Sequence, residues 1–248
     1  MNNFQFNPIG VIESPYKEKF AIPKQPGLIE NGHSYLRLFP SYNHPDALRG
    51  LEQFSHIWLI FIFHQTMQAG WRPLVRPPCL GGNTKMGVFA TCSPFRPNSI
   101  GMPLIELKKL IISANEAGLA LGSLDLVDGT TVIDIKPYLP FAASLSKAIA
   151  GFAQDSPDSK MKVVFSAIAQ KTLIKQQAHY SFLERFISQV LAQDPRPAYK
   201  TRVADEKIYA VHLLDFNVRW QIIANIAVIL SLDTLKNKLS LLTLANRW

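Results

Sequence analysis

Residues 118–138 read GLALGSLDLVDGTTVIDIKPY. Two β-prone runs flank Asp128-Gly129, a pair able to take the type I′ turn that tight β-ribbons favour. Closed on that two-residue loop, a hairpin sets Val127 opposite Thr130, Asp125 opposite Val132 and Ser123 opposite Asp134. Side chains alternate along a strand, so Ser123, Asp125, Asp134 and Lys136 would share one face. Leu124, Leu126, Ile133 and Ile135 would share the other, which is a core face. The polar face is either an ordinary solvated surface with a weak ion pair or a patch of two carboxylates and a lysine with chemical use.

Outward from this hairpin, the chain up to about residue 140 is strand-like. Short apolar runs are punctuated by turn signals at Asn7-Pro8, Gln25-Pro26-Gly27, Asn31-Gly32 and Gly81-Gly82-Asn83. Such spacing predicts a closed or nearly closed β structure. Ser55–Phe63 is apolar at both alternations and is expected to be a strand buried on both faces. His56 and His64, eight residues apart, would point the same way along it, with His64 at its mouth. Just before, His44-Pro45-Asp46-Ala47-Leu48 predicts one helical turn with Asp46 as its cap. Between Arg76 and Gly101 prolines and glycines crowd both ends of the apolar run Met86–Thr91. This reads as two tight loops joining strands, or as a shaped pocket wall presenting Arg96 and Asn98.

Beyond Ala150 the texture changes. The segment DSPDSK suits a linker, Val163–Phe165 reads as a strand, and residues 167–193 predict one helix. His179, Leu183, Phe186, Ile187 and Val190 supply its apolar spacing, and Pro195 stops it. A return to turn and strand follows through IYAVHLLDFNVRW. The expected organisation is therefore mainly β: a β domain over residues 1–150 and a smaller C-terminal α+β domain over 151–248. The apolar tail from Ser231 to Trp248 could form a helix and carries no assignable role.

The 248 residues are 48% hydrophobic and 18% charged, ordinary for a soluble globular chain. The longest apolar run, Ile57–Phe63, falls short of the roughly 20 residues a membrane span needs. No signal peptide is visible in MNNFQFNPIG, and Cys79 and Cys92 do not make a disulfide framework, so a reduced, cytoplasmic protein without membrane contact is expected. The net charge of +8 is spread along the chain and suits either a polyanionic partner or a plain basic enzyme. Dinucleotide and phosphate-loop glycine motifs, H-E-x-x-H, paired C-x-x-C and G-x-S-x-G are all missing, which leaves no case for a Rossmann enzyme, a metal site or a familiar hydrolase.

Six ordered motifs point elsewhere: IGVIESPY, KFAIPKQPG, GLEQFSHIWLIFIFH, RPPCLGGNTKMGVFATCSPFRPNSIG, LDLVDGTTVIDIKPYLP and DPRPAYK. Together they resemble the TsaA-like family and its bacterial tRNA-methyltransferase branch, almost continuously over the first 145 residues. The resemblance implies an S-adenosylmethionine-dependent methyltransferase on a single-sheet, non-Rossmann β-barrel. Its implied acceptor is the N6 nitrogen of a threonylcarbamoyl-adenosine beside the anticodon of tRNA. Homodimers with the cofactor pocket near the subunit contact, and a C-terminal domain that helps hold the tRNA anticodon loop, are implied as well.

Carried over by position, the resemblance places Gln25, Pro26, Gly27, Phe63, His64, Arg96, Ser123, Leu124, Asp125 and Leu126 in the cofactor pocket. Phe63 and Leu126 could sandwich the adenine, and Asp125 could accept from ribose hydroxyls or amino groups. The acceptor nitrogen is urea-like and a poor nucleophile, so a group that takes or polarises its proton helps. Asp134 is the candidate, with Lys136 or Arg96 holding the threonyl carboxylate. Arg196, Tyr199, Lys200, Arg202, Arg219 and Trp220 are suitable types for stacking on bases and pairing with phosphates. The chain departs from the family's usual pattern at Ser99, Cys79 and Cys92, in place of a proline and two arginines. A non-catalytic S-adenosylmethionine-responsive regulator or RNA-binding protein is the competing expectation.

Overall fold

The fold is that of a computed structural model, which describes residues 4–23, 26–113, 117–145, 147–153, 161–196 and 207–235. The chain forms two compact units that interleave in sequence. The first comprises Met1–Glu13, Ser34–Gly122 and Gly129–Asp155; the second comprises Ser14–His33, Ser123–Asp128 and Ser156–Trp248.

In the first unit the strands are β1 (Gly10–Glu13), β2 (His33–Leu38), β3 (His56–Ile62), β4 (Leu74–Val75), β5 (Met86–Gly87), β6 (Ile100–Gly101), β7 (Leu104–Ile112), β8 (Ala117–Ser123) and β9 (Thr131–Pro137). One sheet runs β6-β3-β7-β8-β2-β1-β9, and a further β3–β9 pairing closes β3-β7-β8-β2-β1-β9 into a six-stranded barrel. Closure removes the exposed edges a sheet of this size would otherwise present. The expected closed, mainly β domain is therefore what the chain forms.

Strand β3 alternates rather than being buried on both faces. Ile57, Leu59 and Phe61 are buried, whereas Trp58, Ile60 and Ile62 are only partly covered. An apolar exterior face is tolerated here because neighbours shield it, as where Tyr138 meets the Trp58 ring edge-on at 5.8 Å. The strand also ends at Ile62, so His64 lies in the turn beyond and does not share a strand face with His56. The short helix α1 (Pro45–Leu48) is capped by His44, whose Nδ1 accepts from the Asp46 amide at 3.2 Å; Asp46 does not cap it.

The hairpin across Asp128-Gly129 does not form. Strand β8 pairs with β7 and lies beside β2, while β9 pairs with β1 and β3. Residues 124–128 leave the β-ladder instead and run against Ser14–Lys17. There the Ser14 amide donates to Asp128 Oδ1 at 2.8 Å, Ser14 Oγ donates to the Leu126 carbonyl at 2.8 Å, and the Asp128 amide donates to the Tyr16 carbonyl at 2.8 Å. Asp128 is thus held by side-chain bonds that a free hairpin turn would not need, including the Lys17 ammonium at 2.7 Å. A register shift opposite Ile60/Phe61 then puts Val132 and Ile135 across from the buried Phe61 and Leu59. Asp134 and Lys136 fall on the exposed side.

The helix α2 (Pro140–Ala143) follows β9. In the second unit, β10 (Lys162–Phe165) leads into α3 (Ala167–Gln176) and α4 (Leu183–Ala192), then β11 (Tyr209–Leu213), β12 (Phe216–Ile223) and β13 (Ile226–Thr234). The strands order β10-β13-β12-β11. The single helix expected over 167–193 is two, because the Gln177–Phe182 stretch breaks it. The Tyr180 hydroxyl donates to Asp215 Oδ2 at 2.6 Å and its ring packs edge-on against Phe216 at 5.6 Å. Leu183, Phe186, Ile187 and Val190 form the buried stripe of α4 as expected, whereas His179 is exposed in the break before it. Tyr16, Ala21 and Ile29 complete this core, with Tyr16 and Phe186 ring centroids 5.8 Å apart, which is why the Ser14–His33 segment belongs to this unit. The linker at 155–160 and most of the tail, residues 236–248, lie outside the described residues, while Ser231–Thr234 end β13.

Candidate functional site

The second unit contains the chain's most chemically distinctive cluster. Ser14–Lys17 and Leu124–Asp128 are zipped together by the bonds above, which fixes their side chains without help from a ladder. Gly27, in a left-handed conformation (φ 79°) that an L side chain rarely adopts, donates its amide to the Ser123 carbonyl at 3.4 Å. Gly32 lies against the same place: a Cβ there would collide with the Tyr16 hydroxyl and crowd Ser123 Oγ. Three buried polar atoms converge here, Tyr16 Oη, Ser123 Oγ and Asp125 Oδ1, and none has a hydrogen-bond partner. The Tyr16 and Ser123 hydroxyls face each other closely enough to interact electrostatically, yet without hydrogen-bond geometry.

Buried polar groups are normally paired, because each one left without a partner costs on the order of 1–3 kcal/mol. Three together leave hydrogen-bonding capacity that a polar ligand could satisfy. The electrostatics agree. Burial pushes the Asp125 carboxyl up from 3.8 to about 6, against the opposing pull of its own backbone amide. Burial likewise raises the Tyr16 hydroxyl above the usual phenol range, with Ser123 opposing and the nearby Asp125 charge adding. The cluster therefore holds one carboxylate acceptor and two hydroxyls that can donate or accept. That donor set suits a ligand rich in hydroxyls and amino groups, as an adenosyl group with an amino-acid tail is.

Of the residues expected at the cofactor, the structure brings Gly27, Ser123 and Asp125 into this cluster. Leu124 and Leu126 are packed at 0% and 3% exposure, so their side chains already belong to the core. Pro26 is partly buried beside Gly27, and Gln25 lies outside the described residues. Sequence reasoning passed over Tyr16 and Gly32. Asn31-Gly32 carries only a turn signal, and nothing in the sequence marks the Tyr16 hydroxyl as part of a site.

The remaining expected residues sit in the first unit. The Phe63 amide donates to the Ser99 carbonyl at 2.8 Å and its ring meets Phe61 edge-on at 4.7 Å. A proline at 99 would offer the same carbonyl, so the departure at Ser99 leaves this bond unaffected. His64 is exposed in the turn after β3. Arg96 donates to the Val88 carbonyl at 3.2 Å and the Thr91 carbonyl at 2.7 Å, acting as a strut for that loop. Asp134 accepts from the Ile135 amide at 2.9 Å, and it does not share a sheet face with Asp125 as the hairpin would have required. Lys136 stands opposite Trp58 in the register.

Among the expected RNA contacts, Arg196 is buried and clamped by Asp194 through two 2.8 Å bonds. Trp220 is in the core, stacked on Tyr209 at 4.9 Å. Neither is available to a base or a phosphate. Arg219 is exposed, whereas Tyr199, Lys200 and Arg202 lie outside the described residues. Cys79 and Cys92 are free and exposed, and among the described residues no helix is long and apolar enough to cross a membrane.

Comparison with known proteins agrees with the fold. Residues 11–144 match the tRNA-methyltransferase O N-terminal domain and residues 158–235 the TrmO C-terminal domain. A protein of Escherichia coli named tRNA (adenine(37)-N6)-methyltransferase is 59% identical over 222 residues, 90% of this chain and 94% of its own length. A Pseudomonas aeruginosa protein provisionally named as an S-adenosylmethionine-dependent methyltransferase is 44% identical over 86% of this chain and 90% of its own length. The crystal structure of TrmO from P. aeruginosa superimposes with a TM-score of 0.76 at 35% identity, covering 94% of this chain and 98% of that one. With both domain families matched in order along one chain, a closed six-stranded barrel and an α+β unit of the same kind, the protein belongs to the tRNA-methyltransferase O family.

Proposed function

We propose that this chain transfers a methyl group from S-adenosylmethionine to the N6 nitrogen of the adenosine beside the tRNA anticodon, and that the adenosine already carries a threonylcarbamoyl group. The observation that carries the reading is the relative named tRNA (adenine(37)-N6)-methyltransferase, 59% identical across nearly the full length of both chains. The cluster of Tyr16, Ser123 and Asp125 supports the cofactor half of it, because its orphaned polar atoms match what an adenosyl ligand with an amino-acid tail can satisfy.

S-adenosylmethionine supplies a methyl group already activated on a sulfonium centre. What remains for the protein is placement and proton handling. Asp125 would accept hydrogen bonds from the cofactor's hydroxyl or amino groups and Tyr16 and Ser123 would fix its orientation; Gly27 leaves the backbone open for close approach, and Gly32 makes room for the Tyr16 hydroxyl. By resemblance, Gln25, Pro26, Phe63, His64 and Arg96 are further candidates for the cofactor, as are Leu124 and Leu126 through their backbone. Asp134 takes the proton that the acylated N6 loses as its bond to the methyl carbon forms. Lys136, or the guanidinium edge of Arg96 not bonded to the loop, holds the threonyl carboxylate. Divided by sequence, residues 1–150 carry the chemistry and residues 151–248 assist with tRNA, and the protein works as a cytoplasmic homodimer.

The test is nucleoside mass spectrometry of tRNA incubated with the protein and S-adenosylmethionine. A mass gain of one methyl on the threonylcarbamoyl nucleoside supports the reading; a methyl on any other nucleoside, or none, refutes it. The regulator alternative predicts cofactor binding with no methylated nucleoside at all.

A further inference from the structure

From Gln53 to Ile105 the chain contains no Asp or Glu, yet it carries Arg72, Arg76, Lys85 and Arg96. The structure gathers them. Strands β4 and β5 pair antiparallel with Val75 opposite Met86, the Arg72 amide donates to the Phe95 carbonyl at 3.1 Å, and the Val88 amide donates to the Pro73 carbonyl at 3.0 Å. These links bind residues 72–75 and 86–96 into one platform. The β4–β5 ladder ends at Val75 and Met86, and the residue just beyond it on each side, Arg76 and Lys85, is an exposed cation. Like charges so placed repel unless an anion lies between them.

The same platform displays aromatic faces. Phe89 is 73% exposed in the turn Val88–Ala90, although an exposed phenyl ring contributes nothing to folding. Its position is nonetheless fixed, since the Arg96 guanidinium grips the carbonyls on either side of it and lies 5.7 Å from its ring centroid. Arg72 covers the Phe95 ring at 4.6 Å, and Trp71 beside it is 56% exposed. Rigid exposed rings interleaved with unopposed cations fit a partner with planar bases and phosphates.

We propose that this platform on the barrel unit binds the unpaired loop of the tRNA substrate, with Phe89 as a stacking surface for one base and Arg72, Arg76 and Lys85 on its phosphates. This rests on the reading that tRNA is the acceptor, and moves the principal contact to the barrel from Arg196 and Trp220, which the structure has buried. Stacking on one aromatic ring is worth roughly 1–3 kcal/mol by alanine substitution, which corresponds to about 5- to 150-fold in affinity.

The experiment measures binding of a fluorescent anticodon stem–loop RNA by anisotropy, with cofactor affinity and sedimentation measured on the same full-length variants. Phe89→Ala should weaken RNA binding about tenfold or more, Phe89→Trp should retain it within about threefold, and S-adenosylmethionine affinity should not move. Arg76→Ala and Lys85→Ala should each lower the slope of log affinity against log salt by about 0.7. Wild-type RNA affinity in Phe89→Ala, or an unchanged salt slope in both cation variants, overturns the proposal. A shift in sedimentation with Phe89→Ala overturns it too, and assigns the platform to contact with a second copy of the chain. A wild-type protein that binds the stem–loop through Phe89 but leaves no methyl on tRNA sustains this surface and defeats the proposed reaction.

Discussion

Asp125→Asn should make the ligand-free protein more stable and weaken its hold on the cofactor. In the folded chain burial raises the Asp125 carboxyl from 3.8 to about 6. A carboxyl whose folded value lies above its unfolded value binds its proton more tightly when folded. Its favourable contribution is therefore complete below 3.8 and is lost as pH rises toward about 6. Above that, the charged form costs the fold about 3 kcal/mol, from about 1.4 kcal/mol per pH unit over the interval. The neutral, isosteric asparagine escapes this cost, so at pH 7.5 Asp125→Asn should raise stability by up to about 3 kcal/mol, and at pH 4 by almost nothing. For a chain of this length that is roughly 6 °C or more in Tm at pH 7.5.

The same charge that destabilises the empty site is what a donor-rich ligand uses. Bonds to the carboxylate favour its ionised form, so S-adenosylmethionine affinity in the native chain should fall about tenfold per pH unit below about 6. Asp125→Asn should flatten that profile and lower affinity at pH 7.5 by roughly tenfold or more, as expected on losing a charge-assisted bond worth about 1.5–3 kcal/mol. Thermal denaturation from pH 4 to 8, with and without cofactor, and calorimetric titration read both effects. A variant that is less stable than the native chain at pH 7.5, or that binds the cofactor normally, refutes the reasoning.

Gly32→Ala should impair folding or binding, since its Cβ would collide with the Tyr16 hydroxyl; denaturant unfolding should show about 1–3 kcal/mol lost, and calorimetry a weakened cofactor. Asp134→Asn should cut kcat for methyl transfer at least about 100-fold while cofactor affinity stays within a few-fold, and unchanged turnover would remove Asp134 from the proposal. Ala224→Gly should stabilise the chain by about 0.5–1 kcal/mol in denaturant unfolding, because Ala224 sits at φ 46°, where a Cβ is strained.

The barrel was legible because turn residues punctuate short apolar runs, and that pattern survives any rearrangement of strand partners. Partnering was not legible. Asp128-Gly129 has the residues of a hairpin turn, and Gly129 does take φ 78°. Ser14 and Lys17, more than 100 residues away, nevertheless capture Asp128 and draw the chain aside. Conversely, Ala224-Asn225 carries no glycine, yet both residues take positive φ and join β12 to β13 in a two-residue hairpin. Local turn chemistry is a weak force beside the long-range pairing of apolar strands. The site shows the same division. Ser123, Asp125 and Gly27 could be found from motifs. Tyr16 could not, because its hydroxyl acquires meaning only when folding buries it beside Ser123 without a partner.

The central claim is tested most directly by methyl transfer from isotopically labelled S-adenosylmethionine to two tRNA pools, one from cells that make threonylcarbamoyl-adenosine and one from cells that cannot. Label confined to the modified pool is the predicted result. Equal label in both pools, or none in either despite demonstrated cofactor binding, would contradict it.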